Sequence, residues 1–225
     1  MKIKAISDIH GYLPEIGPFD VLFICGDVCP IECHRKSYQA YWLNDDFVEW
    51  INEMDFIDAD SMVVMIPGNH DMYLEKAGKD EIREIEVRTN DRLKILINES
   101  YETHGLKIYG CPFCKKFGNW AFSKNYDDLK EMYDAIPEGL DILLTHDAPD
   151  IDNLGFIMDG PWAGENAGNK VLAEYIDKKK PKYVFCGHIH TGNQELIDHN
   201  GIKMKNVSHV DDGYEEVRDA FSMEL

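Results

Sequence analysis

The sequence predicts an α/β protein in which two mixed β-sheets pack face to face and are covered by helices. Short apolar segments of strand length alternate with amphipathic helical segments, which is the pattern of βα units. Two other segments have the pattern of β-hairpins. A mixture of hairpins and βα units favours two sheets over a single doubly wound sheet.

Six apolar segments have the length of strands and are bounded by turn residues. In chain order they read KIKAIS, VLFIC, MVVMIP, LKIYGC, DILLTH and YVFCG. We expect these six segments to form the centre of the sheets.

Three segments between the strands have helical patterns. The segment YQAYWLNDDFVEWINEM repeats its large apolar side chains at three- and four-residue spacings. The segment NYDDLKEMYDAI begins with Asn125, a good N-cap that is followed by acids in the first turn. The segment AGNKVLAEYIDKKK places Val171, Leu172, Tyr175 and Ile176 on one face and ends in lysines.

The two hairpin patterns are ESYETHGLKIYG, with its turn at HG, and NQELIDHNGIKMKNVS, with its turn at HNG. Both turns contain residues that tolerate positive φ. The chain of 225 residues shows no internal repeat, no low-complexity segment and no linker rich in Pro, Gly or Ser. We therefore expect one domain over residues 1–225.

The formal net charge of −19 bears on the partners of the protein. A surface this acidic repels a long polyanion, so we expect no long nucleic acid as a partner. The one dense basic run, DKKKPK, fits the C-terminal turn of a helix. The N-terminal segment MKIKAISDIHGY has no apolar leader and the apolar runs are too short to cross a bilayer. The expected location is cytoplasmic, without a membrane partner.

The six cysteines do not predict a disulfide framework, since no secretory signal is visible. Cys25 and Cys186 lie in apolar strand-like runs and are expected to be buried thiols. Cys111 and Cys114 have the C-x-x-C spacing of a redox or zinc motif, without the sequence context of thioredoxin. The alternative interpretation, in which all six are ordinary thiols, is favoured.

Polar side chains follow five of the six strand-like segments. One such histidine usually only makes a hydrogen bond, but ligands of α/β sheets gather at the carboxyl ends of strands. Five such endings together therefore predict one site. The residues are Asp8 and His10, then Asp27, then Asn69, His70 and Asp71, then His146, and finally His188 and His190.

The chemistry of this set favours metal ions. Carboxylates and imidazoles suit Mn, Fe, Zn and similar divalent ions. Two Asp, four His and one Asn exceed what one tetrahedral metal needs, and they suffice for two metals that share a carboxylate. In D-x-H and H-x-H at a strand end, alternate residues point the same way. No thiolate belongs to the set, which argues against a structural zinc site.

The order of these motifs is D-x-H, G-D, G-N-H-D, a lone His, and G-H-x-H. It spans Asp8 to His190 and resembles the calcineurin-like metallophosphoesterase superfamily. The resemblance implies a four-layer αββα sandwich with a two-metal site at the strand ends. The segments FVEWINEM, YGCPF and DILLTHDAP are also similar to those of small phosphodiesterases related to the mammalian brain "239" proteins.

The resemblance also implies a role for each residue of the motifs. Asp8, His10 and His190 hold a first metal, Asn69, His146 and His188 hold a second, and Asp27 bridges the two. His70 is not a ligand but lies near the substrate, where it protonates the leaving group or stabilises its charge, and Asp71 orients His70.

A phosphate-binding residue is less well defined by the resemblance. Family members often carry an Arg or His shortly after the G-D motif. Here His34 and Arg35 come later, after a small insertion. Arg35 is expected either to hold a phosphate oxygen or to lie exposed in the loop.

The expected function is that of a dinuclear metal-dependent phosphoesterase acting on a small phosphodiester. Two cations about 3.5–4 Å apart would generate a bridging hydroxide that attacks phosphorus in line. Mn is the expected metal, with Fe, Zn or Mg as alternatives. A phosphomonoesterase or a nucleotide pyrophosphatase of the same fold is the alternative activity.

Two further alternatives are weaker. A non-catalytic binding scaffold should have lost ligands or the catalytic His, and none is missing. A nuclease acting on long DNA or RNA is disfavoured by the acidic charge, unless a partner supplies a basic groove. The chain has no G-x-S-x-G elbow and no Walker-type loop that would indicate another mechanism.

Overall fold

The computed structural model describes residues 1–225, with thirteen strands and five α-helices. The strands are β1 (Lys2–Ile6), β2 (Val21–Cys25), β3 (Met62–Ile66), β4 (Leu93–Ile95), β5 (Glu99–Thr103), β6 (Leu106–Cys111), β7 (Cys114–Lys115), β8 (Ser123–Lys124), β9 (Ile142–Thr145), β10 (Tyr183–Cys186), β11 (Ile197–His199), β12 (Ile202–Asn206) and β13 (Phe221–Glu224). The helices are α1 (Lys36–Trp42), α2 (Val48–Asn52), α3 (Lys79–Arg88), α4 (Tyr126–Asp134) and α5 (Lys170–Lys179).

Two mixed sheets contain eleven of these strands. The first has the order β13-β1-β2-β3-β4, in which β1 to β4 run parallel and β13 pairs antiparallel with β1. The second has the order β11-β12-β10-β9-β6-β5, with a parallel centre and an antiparallel strand at each edge. The two short strands β7 and β8 pair separately.

Three apolar clusters show that the sheets and helices form four layers. Between the sheets, one cluster takes side chains from both, including Phe23 of β2 and Phe185 of β10. The outer face of the first sheet packs against the helical segments that contain Phe47 and Ile85. The outer face of the second sheet packs against α4 and α5. The expected αββα sandwich is therefore confirmed.

Both predicted hairpins form where the sequence places them. The turn between β5 and β6 has His104 at φ 52° and Gly105 at φ 75°. The turn between β11 and β12 has Asn200 at φ 55° and Gly201 at φ 86°. Two consecutive positive φ angles give the backbone twist that a two-residue hairpin requires.

The helix predicted over residues 38–54 is present but is not a single α-helix. A π-helical segment, Leu43–Phe47, separates α1 from α2. The N-cap prediction is confirmed, since Asn125 Oδ1 accepts a hydrogen bond from the backbone of Asp128 at 3.1 Å. Asn169 caps α5 in the same way. None of the helices is both long and apolar enough to cross a bilayer.

Candidate metal centre

All seven candidate ligands lie at the carboxyl ends of five parallel strands. The first sheet supplies four of them and the second sheet supplies three. They are Asp8 and His10 after β1, Asp27 after β2, Asn69 after β3, His146 after β9, and His188 and His190 after β10. Since the two sheets pack face to face, the strand ends of both meet at one edge of the sandwich.

The first group of ligand atoms comes from Asp8, His10 and His190, which lie within 4.8 Å of one another. The Nε2 atoms of His10 and His190 are 3.3 Å apart. His190 Nε2 lies 3.6 Å from Asp8 Oδ1. Two imidazoles and one carboxylate therefore face a common point.

The second group comes from Asp27, His146 and His188, whose ligand atoms also lie within 4.8 Å of one another. Asn69 adds an amide oxygen to this group, since its Oδ1 is 2.9 Å from His146 Nε2. These two groups contain the residues that the family resemblance assigns to the first and second metal.

Asp27 lies between the two groups. Its Oδ2 is 3.8 Å from His10 Nε2 of the first group and 3.4 Å from His146 Nε2 of the second. Its Oδ1 accepts a hydrogen bond from the backbone N–H of His70 at 2.7 Å. One oxygen thus fixes the G-N-H-D loop, and the other faces both groups.

Backbone carbonyls orient two of the imidazoles. His146 Nδ1 donates to the carbonyl of Cys25 at 2.9 Å, and His190 Nδ1 donates to the carbonyl of Asp211 at 3.0 Å. In both rings the Nε2 atom is therefore the one that faces the centre. Hydrogen bonds of this kind fix the tautomer of metal-ligating histidines in proteins.

The pKa values of the groups differ according to their neighbours. Burial lowers the pKa of His10 to about 3 and that of His188 to about 4, so both rings are neutral. Burial also acts to lower the pKa of His146, but the charge and hydrogen bond of Asp27, together with the charge of Asp8 and the carbonyl of Cys25, outweigh it and raise that pKa to about 10. Burial opposes ionisation of Asp8, yet the His190 ring beside it, 3.6 Å from Oδ1, lowers its pKa.

The backbone is strained at this edge of the sandwich. Four of the candidate ligands are non-glycine residues with positive φ, namely Asp8 (55°), His10 (44°), Asp27 (53°) and His188 (69°). Left-handed conformations cost non-glycine residues about 1–2 kcal/mol each. Such strain clusters at functional sites, where the surrounding structure maintains it.

The residues fit a pair of divalent cations. Two carboxylates, four imidazoles and an amide oxygen converge, which is the mixed O/N donor set of Mn, Fe and Zn sites. The buried Nε2 atom of His10 lies 3.3 Å from His190 Nε2 and 3.8 Å from Asp27 Oδ2, so it faces the other donors of the set.

His70 lies beside the two groups and contacts His34. The Nε2 atom of His34 is 3.0 Å from His70 Nδ1. Trp120 stacks on His70 with ring centroids 4.3 Å apart and an interplanar angle of 30°. Gln39 holds the loop from behind, since its side chain donates to the His70 carbonyl at 2.7 Å. The Nε2 atom of His70 is left free of these partners.

The expectation that Asp71 orients His70 is wrong. The carboxylate of Asp71 accepts hydrogen bonds from the backbone N–H groups of Val28, Cys29 and Gly68. It therefore ties the G-D loop to the G-N-H-D loop. The side chain that contacts the His70 ring is His34, because adjacent residues of a loop point in different directions.

Arg35, Cys111 and Cys114 make none of these contacts. Arg35 is the exposed N-cap residue of α1, directly after His34 in the chain. Cys111 and Cys114 are buried, and burial raises the pKa of the Cys111 thiol to about 12. All six thiols are free.

The contacts of three aromatic residues of the site were missed by reasoning from sequence motifs, namely those of His34, Trp120 and Tyr214. His34 and Trp120 lie in loops, where the sequence has no periodic pattern that would indicate their contacts. Tyr214 packs against His10 from a turn near the end of the chain, with ring centroids 4.9 Å apart. The only signal in the sequence was the dipeptide Asp212-Gly213, which marks a turn but does not predict what it touches.

Comparison with known proteins agrees with this geometry. The sequence model of the calcineurin-like phosphoesterase family matches residues 1–192. A UPF0046 protein of Caenorhabditis elegans is 27% identical over 205 residues, covering 84% of this chain and 69% of that protein. Metallophosphoesterase domain-containing protein 1 of Homo sapiens is 26% identical over 219 residues, covering 88% of this chain and 63% of that protein. The chain thus spans roughly two thirds of the length of these two relatives.

Solved structures show the same fold. TT1561 of Thermus thermophilus superposes with a TM-score of 0.56 at 16% identity, covering 91% of this chain and 88% of that one. Phosphopantetheinyl hydrolase from Mycobacterium tuberculosis superposes with a TM-score of 0.55 at 13% identity, covering 92% and 88%. The family match includes all five motifs and the strands that present them. The chain belongs to the calcineurin-like phosphoesterase family, a family of metal-dependent phosphoester hydrolases.

Proposed function

We propose that this protein is a dinuclear metallohydrolase that cleaves a small phosphodiester. The observation that supports this most directly is the position of Asp27 Oδ2, which is 3.8 Å from His10 Nε2 and 3.4 Å from His146 Nε2. A carboxylate between two groups of donors is suited to bridging two cations.

In this proposal one cation is held by Asp8, His10, Asp27 and His190, and the other by Asp27, Asn69, His146 and His188. Mn is the proposed metal because imidazole, carboxylate and amide oxygens suit it, with Fe, Zn or Mg as alternatives. The two cations would bind phosphate oxygens and lower the pKa of a water between them, so that it can attack phosphorus.

The residues of the chain supply the rest of the reaction. His70 can act as the general acid in its imidazolium form, in which Nδ1–H donates to Nε2 of His34 at 3.0 Å and Nε2 carries the second proton. The Nε2 proton would pass to the leaving oxygen, which leaves His70 as a neutral imidazole whose Nδ1–H still donates to His34. Arg35 lies next to His34 in the chain and is the proposed residue for a phosphate oxygen.

The proposed substrate is small because the net charge of −19 disfavours a long nucleic acid. A phosphomonoester or a nucleotide pyrophosphate remains the alternative substrate, and a substrate panel separates the three classes. A non-catalytic scaffold is disfavoured because every candidate ligand and His70 are present. We also propose that residues 1–225 form a single domain, since both sheets share one apolar layer.

Metal analysis of Asp27→Ala tests the proposal. Protein stripped with a chelator and reloaded with Mn, Fe, Zn or Mg should bind about two ions per chain and hydrolyse phosphodiesters. Asp27→Ala should lose both ions, whereas His10→Ala should retain one. Glu131→Ala, which changes an exposed acid on α4, is the control and should retain both.

Two results would contradict the proposal. The first is wild-type protein that binds no divalent ion with micromolar or better affinity. The second is loaded wild-type protein that hydrolyses no diester, monoester or pyrophosphate.

A further inference from the structure

A turn near the end of the chain places Tyr214 against the candidate metal centre. The Tyr214 ring is 4.9 Å from that of His10, 5.4 Å from that of His190 and 6.5 Å from that of His70, measured between centroids. All three contacts are edge-on. Tyr214 lies beyond residues 1–192, where the family model matches.

Hydrogen bonds fix the turn at both ends. The hydroxyl of Tyr12 donates to the carbonyl of Tyr214 at 2.9 Å, and the Tyr214 N–H donates to the carbonyl of Asp211 at 2.9 Å. The Asp211 side chain accepts from the N–H groups of Gly213 and Glu215. The Asp211 carbonyl also accepts from His190 Nδ1. The turn that orients a candidate ligand therefore also holds the tyrosine ring.

The backbone at Tyr214 is strained, with φ at 61°. A bulky side chain is rare in this conformation, which Asn or Gly would adopt at a lower cost. The Tyr214 ring is only half-buried, and its hydroxyl makes no hydrogen bond with the protein. The fold of the turn therefore does not account for a large aromatic side chain at this position.

A second aromatic side chain borders the same region. Trp120 stacks on His70, and its ring is also partly exposed. The general acid of the proposed reaction is thus bordered by Trp120 and approached by Tyr214. The turn itself contributes Asp211 and Asp212, so it offers no cation to a second anionic group of a substrate.

We infer that Tyr214 contacts the organic group of the phosphate ester and favours esters whose organic group carries an apolar ring. This inference rests on the proposed phosphoesterase function. It names a specificity-determining residue contributed by the turn at residues 211–215, outside the five motifs. Selection of this kind acts through contact between two rings. The preference for such esters should therefore depend on the Tyr214 ring and not on its hydroxyl.

Binding of two phosphonates tests the inference. Phenylphosphonate and methylphosphonate share the phosphorus group and differ in the ring, and neither is hydrolysed. Titration calorimetry with Mn-loaded protein should show tighter binding of phenylphosphonate by wild type. Tyr214→Phe should keep the ratio of the affinity for phenylphosphonate to that for methylphosphonate. Tyr214→Asn should reduce this ratio about tenfold. Asn suits the positive φ, so this variant should fold. The control Tyr126→Ala removes an exposed tyrosine of α4 and should leave the ratio unchanged.

The outcomes separate this inference from the proposed function. An equal ratio in wild type and Tyr214→Asn would overturn the inference while leaving the hydrolase intact. Loss of metal from Tyr214→Asn would also overturn it, since the ring would then act on His10 or His190. Failure of wild type to bind either phosphonate or to hydrolyse any ester would instead contradict the proposed function.

Discussion

His146 and His190 each donate Nδ1 to a backbone carbonyl, whereas His10 has a buried Nδ1 without a partner. Two of the imidazoles are therefore fixed in the tautomer that directs Nε2 to the centre. Their protonation in the metal-free protein differs from that of His10 and His188. The negative charges of Asp27 and Asp8 favour the imidazolium forms of His146 and His190, while burial keeps the other two neutral.

Metal affinity should rise with pH. The pKa of His146 is raised to about 10, so a cation must displace a proton from this ring at neutral pH, and the raised pKa of His190 adds to the same dependence. Each displaced proton should cost about tenfold in affinity for every pH unit below the pKa of its ring. Competition with a chelating dye between about pH 6 and 8 should give a slope between one and two in log affinity per pH unit. A pH-independent affinity would show that neither ring is protonated before the metal binds.

Substitution of His70 should lower turnover without removing metal. A general acid typically contributes about 10²–10⁴-fold in rate, so His70→Asn should lose that factor on a diester with an alkyl leaving group. The loss should be smaller on a nitrophenyl ester, whose leaving group hardly needs a proton. His34→Phe keeps an aromatic ring beside Trp120 but removes the hydrogen bond to His70 Nδ1.

His34→Phe should lower turnover less than His70→Asn does, with the same dependence on the leaving group. Metal content of both proteins, measured in parallel, should equal that of wild type. Loss of a metal from His70→Asn would identify His70 as a ligand. An equal loss on good and poor leaving groups would show that His70 positions phosphate and that the proton comes from elsewhere.

At the scale of the strand ends, glycine allows the two sheets to approach closely. A Cβ atom at Gly187 would collide with the side chains of Ser7 and Asp8. A Cβ atom at Gly68 would collide with Asp27 beside it in the same sheet and with the ring of His146 from the other sheet. Three of the five motifs place glycine directly before the polar residue, and these collisions give a steric reason for the glycine in two of them.

Gly187→Ala should therefore abolish binding of the first metal while the protein remains folded. The methyl group would displace Asp8, which accepts hydrogen bonds from the His188 N–H and from Ser208 Oγ. Metal stoichiometry and circular dichroism measure the two effects separately. Gly139→Ala is the control, because Gly139 has positive φ but open space around it. It should cost about 1 kcal/mol of stability, because alanine adopts a positive φ less readily than glycine, and it should cost no metal. Full metal content in Gly187→Ala would refute the steric argument.

The sequence predicts the elements that are defined by local patterns and fails for those that are not. The six apolar runs, both hairpins and the Asn125 cap follow from residue types that act over a few positions. The edge strand β13 and the short strand β4 have no such pattern, and they form because a neighbouring strand offers unpaired hydrogen-bonding groups. Helix α3 was also missed, since its exposed face is mostly charged.

The same limit applies to the site. The ligands were predictable because metal chemistry restricts them to Asp, His and Asn at strand ends. The residues that touch them, such as His34 and Tyr214, act through packing between distant loops. Their positions along the chain therefore do not predict those contacts.

At the scale of the whole molecule, the layer between the sheets joins the two halves into one packing unit. Phe23 of the first sheet stacks on Phe185 of the second, with ring centroids 5.8 Å apart and an interplanar angle of 25°. Strand β13 also returns to pair with β1 at the opposite end of the chain. We therefore expect the chain to behave as one domain.

Thermal unfolding of the metal-free protein should occur in one transition. If residues 1–225 form one domain, the calorimetric and van't Hoff enthalpies should agree, because neither sheet can keep its inner face buried without the other. Differential scanning calorimetry measures both quantities. Two resolved transitions would show that the sheets belong to separately folding units.

The shared apolar layer also sets the distance between the candidate ligands at its edge. Asp8, His10, Asp27 and Asn69 are attached to one sheet, and His146, His188 and His190 to the other. The thickness of the layer therefore sets the distance that each proposed cation has to span between ligands of the two sheets. Protein interiors are close-packed, so a shorter side chain at Phe23 or Phe185 would let the sheets shift by a fraction of an ångström. A substitution in the middle of the molecule would then change the ligand spacing of both proposed cations, although every ligand residue is still present.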